Sequence, residues 1–182
     1  MKKAASKRAI KTNKRKPGPK AKPKSAPESS LHVLLRTRNE LGVTFSAHAE
    51  ILARSGSVFF GKMGRPIGPK LHEDLNAQIA RGVTTYLYLT TRERWNGAYV
   101  TEALKLRQVH SKVAPEKLSL VPLYYVADAP NIQTWFEAVA MARLSRDEMN
   151  RIYVISSGRE IMSVIKSTAA VFKVSVRAAP TL

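Results

Sequence analysis

The chain has 182 residues, a formal net charge of +18, 44% hydrophobic residues and no cysteine. The hydrophobic share is sufficient for a core, and the lack of cysteine excludes disulfides, thiolate zinc sites and a cysteine nucleophile. No apolar run approaches the roughly 18 residues that span a bilayer, and no apolar segment follows the basic N-terminus as in a secretory signal. We therefore expect a cytoplasmic, nucleoid-associated protein with no membrane contact, whose partner is a polyanion.

Residues 1–30 are predicted to be a disordered basic arm, followed by a single domain over residues 31–182. The arm has eleven Lys and Arg residues, one acid (Glu28), four prolines and no aromatic residue. Such a segment buries too little apolar surface to offset the entropy cost of ordering it. Five of its basic residues are predicted to contact the phosphate backbone or the minor groove: Lys14, Arg15, Lys16, Lys20 and Lys22.

The segment from Lys14 to Lys20, with the sequence KRKPGPK, resembles an AT-hook. That motif lays an extended Arg-Gly-Arg-Pro core in the narrow minor groove of A·T-rich DNA, whereas here Gly18 lies between two prolines. The resemblance implies minor-groove contact, where concentrated negative potential attracts the flanking cations. A sequence-independent polyanion tail and a solubilising arm are the alternatives. DNA is favoured over RNA as the partner.

The first half of the domain is predicted to contain two helices among strands. Ser46 is predicted to N-cap a helix over residues 46–54, and leucine and isoleucine at four-residue spacing predict a second helix over residues 70–81. The β-branched and aromatic content of residues 84–90 predicts a strand. We also expect strands over residues 31–36, 57–60 and 99–109, and an Asn-Gly turn over residues 94–97.

The second half is predicted to add two strands, two helices and a further edge strand. Residues 118–126 read as that edge strand, because Pro122 has no backbone N–H to donate. An apolar stripe over residues 132–143 predicts a helix, and Ser145 with Glu148 forms a capping-box motif. Strands over residues 153–155 and 172–176 are expected on either side of a helix through residues 161–165.

The predicted fold class is α+β, because the long hairpin around residues 94–97 argues against a doubly wound parallel sheet. We expect a curved, mostly antiparallel sheet or an open β-barrel with packed helices.

The motifs of several enzyme classes are missing from the sequence. It contains no HExxH pair, no P-loop, no GxSxG elbow and no run of carboxylates typical of a metal nuclease. The four histidines fall in separate predicted elements, and each is expected at the surface or half-buried: His32, His48, His72 and His110. We therefore predict a non-enzymatic protein with no catalytic residues, no metal site and no cofactor. Hydrolysis of nucleic acid is the least favoured alternative.

Aromatic and basic residues occur together in one predicted turn and on one predicted strand. Trp95 lies in a polar turn with Arg92 and Arg94, where an exposed indole ring is harder to explain by packing, so we predict that it recognises a base. The two arginines are predicted to contact nucleic acid. Tyr86 and Tyr88 alternate along one strand and share a face, as core residues or as part of a pocket.

A Gly- and Pro-rich basic segment lies between the predicted strand at residues 57–60 and the helix at residues 70–81. Its flexible backbone and its cations, Lys62 and Arg65 among them, suit a phosphate or a base edge next to a helix N-terminus. A structured connection that happens to be basic is the alternative.

Six segments between Ser57 and Val176 resemble stations of the PUA-like superfamily, in particular its EVE and YTH-like branch. They are SVFFGK at 57–62, TYLYL at 85–89, the strand at 99–109, PLYY at 122–125, TWF at 134–136 and ISSG at 155–158. The resemblance implies a bent β-barrel with a pocket that holds a flipped, modified base. It suggests Tyr86, Trp95, Tyr124 and Trp135 as stacking residues, and Ser156 and Ser157 as hydrogen-bonding partners of the base edge. Core packing is the alternative for Trp135.

The sequence as a whole predicts a non-enzymatic nucleic-acid-binding protein. The arm would supply affinity through charge, and the domain would hold a base, modified or plain. The alternative is a DNA-associated structural or inhibitory protein whose domain contacts another protein or forms a homodimer. The two hypotheses differ in whether residues 31–182 bind nucleic acid without the arm.

Overall fold

A computed structural model describes residues 30–37, 43–92, 99–165 and 171–177. The strands are β1 (His32–Arg36), β2 (Val58–Gly61), β3 (Tyr86–Arg92), β4 (Tyr99–His110), β5 (Trp135–Arg143), β6 (Ile152–Val154) and β7 (Val171–Val176). The helices are α1 (Val43–Ser55), α2 (Pro69–Ala80), α3 (Leu123–Val126), α4 (Arg146–Asn150) and α5 (Ile161–Val164). Short 3-10 turns occupy Pro115–Leu120 and Ala129–Asn131.

The described strands form one seven-stranded sheet in the order β2-β5-β4-β3-β1-β7-β6. Strands β1 and β3 run parallel, and the other neighbouring pairs are antiparallel. The predicted α+β class with a mostly antiparallel sheet is therefore confirmed. Because β2 and β6 are the two edges of the sheet, the described strands form an open sheet and do not close into a barrel.

One face of the sheet, here called the helical face, is covered by α1 and α2. Leu71 and Leu75 of α2 pack in one core cluster with alternate residues of the central strands, which include Val33, Leu87 and Leu104. The buried Gln78 ties α2 to the sheet. Its amide nitrogen donates to the Leu31 carbonyl and to Thr85 Oγ1 at 2.8 and 2.7 Å, and its oxygen accepts from the Leu31 N–H at 2.8 Å.

The opposite face, here called the cleft face, is covered at its two ends. At one end, Met149, Ile152 and Ile161 pack over residues of the central strands that include Tyr88. At the other end, Val121, Tyr125 and Ile132 pack with Phe59 and Trp135. A cleft lies between the two covered ends.

Two predicted elements differ from the structure. The helix predicted over residues 132–143 is strand β5, which pairs with both β2 and β4. Its residues from Trp135 to Ala138 are all buried, because this half of the strand is covered on both faces. A strand covered in this way shows a nearly continuous apolar run, here interrupted by Glu137, and periodicity alone does not separate such a run from a buried helix.

The strand predicted over residues 118–126 is also wrong. This segment forms a 3-10 turn followed by the one-turn helix α3. Pro122 adopts an extended conformation directly before the helix, a position in which its missing N–H costs no helical hydrogen bond.

The remaining predicted elements are found where the structure describes them. Strands β1, β2, β3, β4, β6 and β7, and helices α1, α2 and α5, occupy the expected positions. The capping box is confirmed, since Glu148 N–H donates to Ser145 Oγ at 3.3 Å and Ser145 N–H donates to Glu148 Oε2 at 2.8 Å. The N-cap prediction for Ser46 is wrong, because α1 begins at Val43. The predicted turn at residues 94–97 and residues 1–29 of the predicted arm lie outside the described residues.

Candidate functional site

The cleft has a volume of about 550 Å³, which is in the range of small-molecule sites. Its floor is made by Ala103 on β4 and by Ala140 and Ala142 on β5. The methyl side chains leave space above the sheet that larger residues would fill. The walls carry its polar and aromatic groups: Ser30, His32, Tyr86, Tyr88, Lys105, Glu148 and Arg151.

Three rings form the aromatic wall of the cleft. Tyr86 and Tyr88 lie two residues apart on β3, with ring centroids 5.8 Å apart and planes inclined by 26°. His32 from the neighbouring parallel strand β1 meets both tyrosines edge-on, at 5.6 and 5.8 Å. Tyr88 and His32 are buried, whereas Tyr86 is half-buried. Tyr86 is therefore the ring of this wall best placed to meet a ligand.

The hydrogen bonds of His32 define its tautomer. The Tyr86 backbone N–H donates to His32 Nδ1 at 3.2 Å, so Nδ1 carries no proton. Burial lowers the pKa of His32 to about 4, so the ring is neutral at pH 7 and its proton lies on Nε2. His32 Nε2 therefore donates to Ser30 Oγ, 3.0 Å away. In this arrangement His32 cannot take the Ser30 proton, so the pair lacks the geometry of an activated serine nucleophile.

Charged groups face the aromatic wall from two sides. Lys105 lies on β4 directly opposite Tyr86 in the strand pairing, and Glu148 and Arg151 extend from α4 and the residue that follows it. Hydrogen bonds from the Ser145 backbone and side chain lower the pKa of Glu148, so the carboxylate is ionised at neutral pH. Burial raises the pKa of Tyr88, which keeps its phenol neutral and able to donate a hydrogen bond.

Searches against protein-family models, curated proteins and solved structures found no match to this chain.

The structure brings one of the predicted base-pocket residues, Tyr86, to the cleft. Trp135 is fully buried between β2 and the 3-10 segments, and its Nε1 donates to the Ile132 carbonyl at 3.1 Å. Tyr124 lies on α3 with its ring centroid 6.2 Å from that of His48. Ser156 and Ser157 are exposed in the turn after β6 and do not line the cleft.

The predicted phosphate-binding residues lie elsewhere or outside the described residues. Lys62 follows β2, and its Nζ donates to the carbonyls of Arg65 and Met63, so its ammonium is held by its own loop. Arg65 is exposed in the same loop. The structure describes the backbone of Arg92 at the end of β3 but not its side chain. Outside the described residues are Lys14, Arg15, Lys16, Lys20, Lys22, Arg94 and Trp95.

Several cleft residues were not predicted as site residues. The alternation of β3 does indicate that Tyr88 shares the face of Tyr86, and the solvated face of β4 includes Lys105. His32 and Arg151 carry no such signal, because they reach the cleft through strand pairing and through the position of α4. The prediction that all four histidines are exposed or half-buried is wrong for His32 and His48, which are 3% and 1% exposed.

The described residues contain no group of three or more His, Asp or Glu side chains that could hold a metal ion. Among the helices that the structure describes, none is long and apolar enough to cross a membrane.

Proposed function

We propose that the protein binds nucleic acid and holds one unpaired base in the cleft, with DNA as the favoured partner. The observation that carries this proposal is the half-buried ring of Tyr86 with Lys105 opposite it, in a chain of net charge +18. The π-face of a base can stack on an aromatic ring, and the backbone phosphate of the same nucleotide attracts a cation. The cleft offers both partners within one cavity.

The polar groups of the cleft suit the edge of a base. The Ser30 and Tyr88 hydroxyls can donate hydrogen bonds, and the ionised Glu148 can accept one from an amino group. These groups are placed to favour one pattern of donors and acceptors over others, and recognition of a modified base is part of the proposal. The resemblance to PUA-like modules points in the same direction, but the proposal rests on the cleft, because the sheet is open.

The test compares Tyr86→Ala with the matched control Tyr153→Ala in the full-length protein. Tyr153 is also half-buried, but it lies on β6, where the Arg177 guanidinium is 5.4 Å from its ring centroid. Fluorescence anisotropy at one salt concentration would measure binding of labelled single-stranded and duplex DNA of the same sequence. Stacking contributes about 1–3 kcal/mol per base, so Tyr86→Ala should weaken single-strand binding by roughly 5- to 150-fold.

The duplex is the internal reference, since a paired base reaches the cleft only after it is unpaired and unstacked, which costs a few kcal/mol. Tyr86→Ala should affect duplex binding much less, and Tyr153→Ala should affect neither probe. Equal losses on both probes, or no loss on the single strand, would overturn the proposal. A second pair of single strands, with and without 5-methylcytosine, tests base modification, and equal affinity would remove this modification from the proposal.

One observation favours the alternative of a structural protein that dimerises. Leu123 on α3 is 90% exposed, and Tyr124 and Val126 on the same helix are 43% and 40% exposed. Three large apolar side chains on one turn suit a contact with a second copy of the chain. Sedimentation velocity of the wild type and of Leu123→Asp would detect a dimer and its loss. A wild type that is monomeric at all concentrations contradicts this alternative.

A further inference from the structure

Cations continue from the cleft along β4 on the cleft face. The pairing of β4 with β5 shifts register between Lys105 and Leu106 and again between Leu106 and Gln108. The second irregularity leaves Arg107 without a partner of its own on β5, so Leu106 and Val109 are buried on the same face although they lie three residues apart. Arg107 lies on the opposite face from Leu106, and its guanidinium reaches Glu137 on β5.

The carboxylate of Glu137 contacts three basic side chains in this region. Its side chain is 4% exposed, and its two oxygens meet Arg107 Nη1 at 3.3 Å, His110 Nε2 at 3.0 Å and Lys117 Nζ at 3.7 Å. The Lys117 ammonium also lies 5.8 Å from the centroid of the Phe59 ring. One carboxylate therefore positions two cations, Arg107 and Lys117, and the three side chains together have a net positive charge.

The two cations remain available to a further anion. The Arg107 and Lys117 side chains are 59% and 42% exposed, although one carboxylate holds both of them. A guanidinium has five N–H donors and an ammonium has three, so one contact each leaves most donors free. Fixing these long side chains in advance also lowers the entropy cost of binding a ligand.

We propose that Lys105, Arg107 and Lys117, here called the cation row, are the path of the phosphodiester backbone of a single strand whose base occupies the cleft. This inference rests on the proposed function, which supplies the base at the Lys105 end. Glu137 then acts as a positioning residue that aims Arg107 and Lys117 towards successive phosphates. The row gives the bound strand a direction, from the cleft towards the 3-10 turn that carries Lys117.

The test is the salt dependence of binding to a labelled oligothymidylate of about ten nucleotides, measured with the full-length protein. Each phosphate contact in a single strand contributes about 0.7 to the slope of log K against log salt. Arg107→Gln with Lys117→Gln should therefore lower the slope by about 1.4. The matched control is Arg54→Gln with Lys173→Gln, which removes the same charge from exposed positions on α1 and β7 and should leave the slope unchanged.

Loss of Arg107 weakens the neutralisation of a buried carboxylate and could unfold the domain, so the melting temperature of each variant is measured first. Should the first variant be unfolded, Lys105→Gln with Lys117→Gln is used instead, because it keeps the Arg107–Glu137 pair. Equal slope changes in the row and control variants would mean that only net charge matters, and this overturns the proposal. An unchanged slope in the row variant also overturns it.

The proposed function and this inference fail separately. A lower slope of log K against log salt for Arg107→Gln with Lys117→Gln, together with normal single-strand binding by Tyr86→Ala, would support the backbone path and reject the base site. An unchanged slope for that variant, together with weaker single-strand binding by Tyr86→Ala, would support the base site and reject the backbone path.

Discussion

His32 makes the stability of this protein depend on pH in a direction that follows from its burial. Desolvation lowers its pKa from 6.5 to about 4 in the folded chain, while in the unfolded chain the ring titrates near 6.5. Between about pH 4 and pH 6.5, His32 therefore binds more protons in the unfolded chain than in the folded chain. The contribution of His32 to the free energy of unfolding is therefore constant above about pH 6.5 and falls as the pH is lowered towards 4. The full effect of this one residue is about 3 kcal/mol.

The assay is urea unfolding at intervals from pH 4 to pH 8, for the wild type and for His32→Asn. Asparagine keeps an acceptor for the Tyr86 N–H but does not titrate, so its other effects on stability are a pH-independent offset. His48, whose pKa is also lowered by burial, is present in both proteins and cancels in the comparison. The wild-type curve should fall more steeply below pH 6.5. Parallel curves over the whole range would refute the assignment of His32 as a buried neutral residue.

Three further predictions concern stability and are measured by urea unfolding at pH 7. Trp135→Ala should cost about 3–5 kcal/mol, because the fully buried indole fills the core beside Phe59, and a loss under 1 kcal/mol would contradict the packing. Gly61→Ala should cost about 1–3 kcal/mol, because the new Cβ would lie 2.7 Å from Trp135 Cζ3, and a neutral result would mean that the indole moves freely. Gln78→Leu should cost at least 2 kcal/mol, because both backbone polar groups of Leu31 lose their partner, and Gln78→Glu, which keeps an acceptor, should retain part of the stability.

The sequence by itself determined the elements whose signals are local. The spacing of Leu71, Leu75 and Ile79 after Pro69 predicts α2, and Gly82, which adopts a positive φ of 76°, marks its end. The capping box at Ser145 needs only two side chains three residues apart. In the same way, alternation along β3 places Tyr86 and Tyr88 on one face. Each of these features depends on contacts within a few residues, so the pattern and its cause are present in one short segment.

Strand β5 shows where local patterns fail. Its residues from Trp135 to Ala138 are buried by α1 on one face and by the 3-10 segments on the other, so this half of the strand has no exposed side to reveal a period of two. The apolar pattern predicts a helix through Trp135, and the resemblance suggests a base pocket with core packing as the alternative. The structure places Trp135 in the core, on a strand. The covering elements come from distant parts of the chain, which a local window does not contain.

The cleft itself was decided by tertiary structure. His32 meets Tyr86 across 54 positions of sequence because β1 and β3 pair in parallel, and Lys105 faces Tyr86 because β3 and β4 pair antiparallel. Arg107 alternates with Leu106 along β4, but its contact with Glu137 depends on the pairing of β4 with β5. The physical reason is that strand pairing and register are selected by burial of the whole sheet. The residue types of the site are therefore visible in the sequence, whereas their meeting in one cavity is a property of the folded chain.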